Sequence, residues 1–539
     1  MDRPETLAPT EWPRRTFAQA LAVSAARWPM AEAMLAGGER LTFAALQQQV
    51  ERVAANLHRL GLRPGEHMAI LMGNCTDWAV LFLAAARLGA VTVPVNTRFK
   101  ADELEYVLRQ ADIRMLCLAD SFLGIDFVGM LRRVCPAVDG RLPDAALPQL
   151  RTVVVFGETV PAGALSAAEL HKDAAAAPDA GVSPDDAVLI QYTSGTTSFP
   201  KGAMLSHDGM LRDAFHAGQR MGMGAGDRYY SARPLYHVAG TTLSLLTALL
   251  AGACYITTAH FDVAEGLRLM ETERCTHCSG NDTMLLMLMN HPDFDPARIH
   301  LRGGIVAASA TVLQLAAERM GMTGACSGYG LSEASPNVAM GPWDGDPGPR
   351  FAGFAQPMPG VEIRIADPDG GGDCPPGKAG EILIRGWCVM KGYYNMPEQT
   401  AKAVDADGWL HTGDLGVKDE AGRLRFDGRL KDMFRVGGEN VAPAEVEDVL
   451  HRHPAIRQAQ VVGVPDPRLV EVPAAFVILN EGMAASEPEI IAWCKERCAN
   501  FRVPRYVRIV DGFDAIGMTG SAKVQKNKLR AHAIAVLGL

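Results

Sequence analysis

The 539-residue sequence contains no apolar run approaching the ~18 residues needed to cross a bilayer, so no membrane-spanning helix is expected. Its opening stretch, MDRPETLAPTEWPRRTF, carries acids and prolines and lacks the apolar segment of a secretion signal. A cytoplasmic location is the expectation. Long lysine or arginine runs are missing too, and 52 basic against 61 acidic side chains leave a net charge of −9. That balance gives no electrostatic footprint for nucleic acid and points to small-molecule partners. The eleven cysteines follow no disulfide-scaffold spacing, which suits a reducing compartment. Internal repeats and low-complexity tracts are absent.

What is present is core-forming sequence, with 48% hydrophobic and 21% charged residues. The length exceeds the ~250–300 residues at which a single core stops growing, so at least two domains are expected. Strand and helix signals alternate: HMAILMGN reads as a short apolar strand, DWAVLFLAAARLGA as a helix, and VTVPVN as a strand again. ERLTFAALQQQVERVAANLHRLGL has helical periodicity and ends at glycine. This is α/β grammar. DPDGGGDCPPGKAG, from Asp367 to Gly380, is a glycine and proline turn within a β-rich subdomain. A boundary falls near FDGRLKDMF, beyond which APAEVEDVLHRH, IRQAQVVGV, VPAAFVIL and EPEIIAWCKERCANF make a compact unit of helices and strands. The division expected is 1–429 and 430–539.

The segment YTSGTTSFPKGAMLSH, Tyr192 to His207, sits between an apolar strand, DAVLIQY, and a helix-like stretch. Its glycines let backbone approach a ligand, and its hydroxyls and peptide N–H groups form a donor nest suited to phosphate oxygens. Lys201 adds a positive charge. The spacing is not that of the familiar phosphate loop, since Lys201 follows Pro200 and precedes Gly202. A serine and threonine linker is the bland alternative, but linkers rarely separate a strand from a helix in this way. Cys275, His277 and Cys278 raise a zinc question; their C-x-x-C lacks a second half, and its neighbours alternate like a buried strand.

YTSGTTSFPKGAMLSH resembles the phosphate loop of the adenylate-forming superfamily, and four further segments match that superfamily in order. They are SGYGLSEAS (Ser327 to Ser335), GWLHTGDLG (Gly408 to Gly416), GRLKDMFRVGGENVAPAEVE (Gly428 to Glu447) and TGSAKVQKNKLR (Thr519 to Arg530). The resemblance implies a large N-terminal adenylation domain of α/β sheets with a β-rich subdomain and a small mobile α+β C-terminal domain. It implies a carboxylate joined to ATP as acyl-adenylate, with pyrophosphate released, and AMP then displaced by a thiol. Within the superfamily the chain is similar to the medium-chain fatty acyl-CoA synthetases, whose relatives also take branched, cyclic and aryl acids.

Carried over residue by residue, the resemblance assigns the β- and γ-phosphates to Thr193, Ser194, Gly195, Thr196, Thr197 and Lys201. Tyr329, between Gly328 and Gly330, matches the adenine-stacking aromatic, and Ser332 stands for a usual threonine at the α-phosphate. Glu333 is the implied Mg²⁺ ligand, a hard carboxylate for a hard cation. Asp414 would accept both ribose hydroxyls, and Arg429 would reach the ribose or α-phosphate. Lys523 matches the catalytic lysine of adenylation, Lys431 the hinge, and Gly437 and Gly438 the passage for coenzyme A. His237 is the implied gate to the acyl pocket, whose wall would draw on Val238, Gly240, Thr241, Asp282, Gly303, Gly304, Ala307 and Ala308. Ser198, Ala522 and Val470 replace glycines of the family pattern, and Asp282 replaces a proline.

Three functions are compatible with these residues: a carboxylate:CoA ligase using ATP, Mg²⁺ and coenzyme A, an adenylating module that loads a carrier protein or stops at acyl-AMP, and a binding protein that keeps only the fold. The ligase leads, because no carrier domain with its serine motif follows Leu539 and because Lys523, Glu333 and Asp414 are kept together. A homodimer is compatible with the sequence.

Overall fold

The computed structural model describes residues 12–193, 200–307, 310–368, 370, 372–436, 439–518 and 524–539. The expectations for Ser194 to Ser198, Ala308, Gly437, Gly438, Ala522 and Lys523 lie outside them, as does the side chain of Lys431.

Two large sheets organise the N-terminal part. In the first, Gly324–Gly330, Gly303–Ala307, His277–Cys278, Arg228–Tyr230, Cys254–Thr257 and Glu32–Ala36 run parallel side by side, and antiparallel strands Asn337–Met340 and Glu39–Thr42 flank them. In the second, Ala187–Thr193, Val91–Pro94, His67–Leu71, Ile113–Ala119 and Thr152–Phe156 are parallel, and Lys201–Ser206 closes one edge antiparallel. The helix Thr76–Arg87 touches strands of both sheets. This explains why DWAVLFLAAAR is apolar all round and not on one stripe only: Trp78 to Ala86 are all buried.

A four-stranded antiparallel sheet, Val361–Ala366, Gly380–Gly386, Leu410–Lys418 and Leu424–Arg429, forms the β-rich subdomain, with the Asp367 to Gly380 stretch inside its first hairpin. The chain leaves this sheet through one 3₁₀ turn, Leu430–Asp432, and enters another. Phe434–Val436, Glu439–Val441, Ile456–Asp466, Val470–Leu479 and Tyr506–Ile509 make the C-terminal sheet, covered by helices Pro443–His451, Glu487–Lys495 and Lys526–Leu537. Its apolar clusters run from Phe434 to Leu537 and share no member with those of the N-terminal part.

Two local expectations need correction. ERLT is an edge strand, and the helix starts after it at Phe43, where the Thr42 hydroxyl accepts the Ala45 amide. The glycine-rich segment does not lead directly into a helix either. It joins two antiparallel strands, with Thr193 paired to Lys201, and the helix His207–Met221 begins only after Ser206 caps it.

Candidate functional site

The parallel strands of the first sheet end on a cavity of 2590 Å³. This is several times the ~300–1,000 Å³ of a single small-ligand pocket, so it has room for more than one subsite. Open α/β sheets place ligands beyond the carboxyl ends of their strands. Here those ends contribute Arg233, Asn281, Ala307 and Gly330 to the wall. The β-rich subdomain adds Asp414 and Phe426, and the C-terminal unit adds Glu447, His451 and Lys526.

On one side, the strand pair flanking the glycine-rich segment converges with Glu333. Thr193 Oγ1 lies 3.4 Å from Glu333 Oε1, and the Tyr393 hydroxyl donates to the same oxygen at 2.9 Å. Lys201 Nζ sits 4.3 Å from the Tyr393 ring centroid, a cation–π distance. Burial and the neighbouring Glu333 raise the Tyr393 hydroxyl above its usual range, so it stays a neutral donor. Tyr393 reaches this position because it bridges to Ala203 beside the strand pair, a pairing with no local signal in MKGYYN.

On the other side, the Tyr329 hydroxyl donates to Asp414 Oδ2 at 2.9 Å, and Arg429 Nε stands 3.5 Å from Oδ1. The two carboxylate oxygens are thus held by different partners. Tyr329 does not present an open ring: it is 7% exposed and stacks on Phe426 at 5.6 Å and 17°. Phe426, 43% exposed and on the cavity wall, offers the outer face. Gly330 is required by close approach, since a Cβ there would meet the Pro336 carbonyl at 1.7 Å. Ser332 follows in a short 3₁₀ turn, Ser332–Ala334, on the cavity wall.

His237 caps the short helix Val238–Gly240, its Nδ1 accepting the Ala239 amide at 3.1 Å, so the neutral ring carries its proton on Nε2. His237 and Val238 line the cavity, as does Asp282, the first residue of the helix Asp282–Met289. Of the expected acyl wall, Gly303, Gly304, Gly240 and Thr241 do not line the cavity. Gly303 and Gly304 lie inside their strand, where a Cβ on Gly304, at φ 143°, would strike the Cys278 carbonyl at 1.8 Å. Gly240 and Thr241 are buried behind the wall, with the Pro234 carbonyl 2.2 Å from a Cβ on Gly240. Ala307, of the expected wall, lines the cavity, and Leu243 and Ile305 line it with Ala307. His277 has one ring nitrogen on Thr276 and the other on the Met221 carbonyl, leaving it no lone pair for zinc.

Lys526, three residues beyond Lys523 in sequence, is pinned within the C-terminal unit by Glu447 and, at 2.9 Å, by the Val461 carbonyl. Sequence reasoning also passed over Phe426 and Arg233. The first is an outward phenylalanine between Arg425 and Asp427, and the second a lone charge in the apolar stretch SARPLY.

A cleft of this size between a two-sheet α/β body, a small antiparallel sheet and a separately cored C-terminal unit defines an adenylate-forming enzyme. The chain belongs to the AMP-binding enzyme family, whose profile matches residues 21–394, with the AMP-binding enzyme C-terminal domain at 445–523. It is 36% identical over 531 residues to a 3-[(3aS,4S,7aS)-7a-methyl-1,5-dioxo-octahydro-1H-inden-4-yl]propanoyl:CoA ligase of Rhodococcus jostii, covering 97% of this chain and 99% of that one. It is 34% identical over 545 residues to the mitochondrial medium-chain acyl-CoA ligase ACSF2 of Rattus norvegicus, covering 96% and 87%. The anthranilate CoA ligase AuaEII in complex with anthranoyl-AMP superposes with a TM-score of 0.87 at 25% identity, covering 99% of this chain and all of that one. The protein is an ATP-dependent acid:CoA ligase of the AMP-forming acyl-CoA synthetase class. Among the described residues no helix is long and apolar enough to cross a membrane.

Proposed function

We propose that the enzyme ligates a medium-chain, branched, cyclic or aryl acid to coenzyme A in two half-reactions within the single cavity. The observation that carries this is the continuity of that cavity, which joins the Glu333 cluster, the Asp414 pair and His237 and is closed by residues of both units.

In the first half-reaction the glycine-rich segment and Lys201 hold the β- and γ-phosphates, and the acid's carboxylate attacks the α-phosphate. Asp414 and Arg429 hold the ribose, and the base lies against the Phe426–Tyr329 stack. Glu333 Oε2 takes no hydrogen bond from a described residue, and Mg²⁺ is commonly held by one or two carboxylates plus phosphate oxygens, so the donor set fits this ion. Bound there, it would offset phosphate charge. Lys523 places its cation where charge builds between carboxylate and α-phosphate, contributing by position and electrostatics.

For the second half-reaction the C-terminal unit turns about the Leu430–Asp432 junction, with Lys431 as pivot and the boundary between 429 and 430. Gly437 and Gly438 then admit the pantetheine thiol, which displaces AMP. A cytoplasmic setting accords with eleven cysteines that are all free thiols. Regarding substrate, the Rhodococcus relative's name specifies a cyclic acid with two oxo groups and the rat relative's a medium-chain acyl group.

The test compares half-reactions. Pyrophosphate release is measured over a panel of acids with and without coenzyme A, then repeated with Lys523→Ala. The variant is expected to lose adenylation and to retain thioester formation from supplied acyl-adenylate. Equal loss of both would remove Lys523 from this role.

A further inference from the structure

A wall serving a plain hydrocarbon chain should be apolar, yet the cavity that His237, Val238 and Asp282 line also carries a guanidinium. Arg233 follows the strand Arg228–Tyr230 and lines the cavity on the side of His237, four residues further on. Its Nη2 donates to the Gly280 carbonyl at 2.6 Å, tying together the ends of two neighbouring parallel strands. Its Nε is buried and has no hydrogen-bond partner among the described residues. The titratable groups acting on it are Tyr229 and Cys278, both kept neutral because burial pushes each up to about 12. Among the described residues no carboxylate acts on it.

Four other described arginines, Arg212, Arg228, Arg350 and Arg502, also have a buried Nε without a partner. Their charges are otherwise accommodated. Arg228 and Arg502 form ion pairs with Glu273 and Glu445. Arg350 donates to two carbonyls, at 3.0 and 2.9 Å, and Arg212 lies over the Trp387 ring at 5.0 Å. Of the five, only Arg233 lines the cavity. Arginine remains protonated when buried and has five donors, of which the described structure uses one side-chain bond here. Burying a cation without a counter-charge is costly, and a ligand acceptor that completes it removes that cost only when the right substrate is bound.

We propose that Arg233 is a specificity residue that receives a second acceptor oxygen on the acid, remote from the carboxylate that is adenylated. The acceptor is a keto or carboxylate oxygen where an alkanoic acid has only methylene or methyl. This rests on the ligase function and adds to it the chemical class of the acyl group. An acid lacking the acceptor fills the cavity and leaves the remaining guanidinium donors without a partner, a form of discrimination stronger than a missing methylene provides.

The wild-type enzyme decides first. CoA-thioester formation is measured with alkanoic, oxo-alkanoic and dicarboxylic acids matched in chain length. An oxygenated acid is expected to exceed its plain counterpart in kcat/KM by about 100-fold at its best length, and the oxo and dicarboxylic arms identify which oxygen is read. Arg233→Met is expected to reverse the order, chiefly through KM for the oxygenated acid, with KM for ATP unchanged and Arg233→Lys restoring part of the preference. A wild-type preference for plain acids at every length would overturn the inference alone, as would an unchanged ratio in a folded Met variant. Should that variant not fold, the wild-type comparison still decides. Failure of every acid to give coenzyme A-dependent AMP would instead overturn the ligase assignment and the inference together.

Discussion

Tyr329 and Asp414 are joined by a hydrogen bond of 2.9 Å across two sheets, linking a residue at the end of the parallel sheet to one in the β-rich subdomain. Burial and the Asp414 charge hold the Tyr329 hydroxyl well above its usual range, so it remains a donor at any working pH. Asp414 is therefore fixed in orientation before nucleotide arrives.

Asp414→Ala is expected to weaken ATP binding by about 1.5–3 kcal/mol, the worth of a charged hydrogen bond. Tyr329→Phe keeps the stacked ring and frees the carboxylate to rotate, so its loss should be smaller, about 0.5–1.5 kcal/mol. Titration calorimetry with ATP orders the two variants. Equal affinity of Asp414→Ala and wild type would take Asp414 out of the nucleotide site.

Tyr393→Phe leaves the ring beneath Lys201 but removes the donor to Glu333. Pyrophosphate exchange is expected to fall about five- to twentyfold, near 1–1.8 kcal/mol, and the Mg²⁺ concentration for half-maximal rate to change. An exchange rate matching wild type across a Mg²⁺ titration would make the Tyr393–Glu333 bond incidental.

Val470 stands at φ 72°, is 72% exposed, and pairs with Val436 of the strand Phe434–Val436. A β-branched residue in the left-handed region costs about 1–3 kcal/mol. Glycine relieves that strain, and the larger freedom of the unfolded chain returns about 0.4–1 kcal/mol of it. Val470→Gly is thus expected to stabilise the protein by about 1 kcal/mol in denaturant unfolding. A less stable variant would show that the valine side chain contributes more than its backbone costs.

Acid should destabilise the fold. His207 accepts the Phe17 amide at 3.2 Å with its ring edge-on to Phe17, and burial pushes both His207 and His216 down to about 4. Unfolded histidines titrate near 6.5, so between those values the unfolded chain binds more protons. The stability these two contribute is present above about pH 6.5 and is lost as pH falls toward 4. His277, also pushed down to about 4 by burial, and His67, lowered likewise, add to this, while the carboxyls of Asp213, Asp77 and Asp448, raised by burial, oppose it. The urea midpoint should fall from pH 7 to pH 5, and His207→Gln should flatten the slope by at most one proton, about 1.4 kcal/mol per pH unit. A midpoint independent of pH over this range would exclude the buried neutral histidines as its source.

The sequence made legible those parts of the fold that depend on short-range periodicity. HMAIL, DAVLIQY and PAEVEDVLH carry their strand or helix pattern within a few residues, and the Asp367 to Gly380 turn announces its hairpin by composition. Lys201–Ser206 was not legible because KGAMLS has no alternation, and its strand character comes from pairing with Ala187–Thr193. Tyr393 and Phe426 escaped for the same reason, since each reaches the cavity through partners far away in sequence. Gly303 and Gly304 misled in the opposite sense: small residues suggested open volume, whereas Gly304 makes room for a neighbouring strand's backbone.

The separate apolar clusters of the N- and C-terminal parts, with one 3₁₀ turn between them, bear on how the molecule melts. With no described cluster common to both, cooperativity has little to carry it across the junction, and the empty enzyme is built to unfold as two calorimetric events. Ligands in the cleft touch both walls and so supply the missing cohesion. An acyl-adenylate analogue should draw the two transitions together toward a single endotherm, so that the degree of domain coupling is set by occupancy and not by the polypeptide alone.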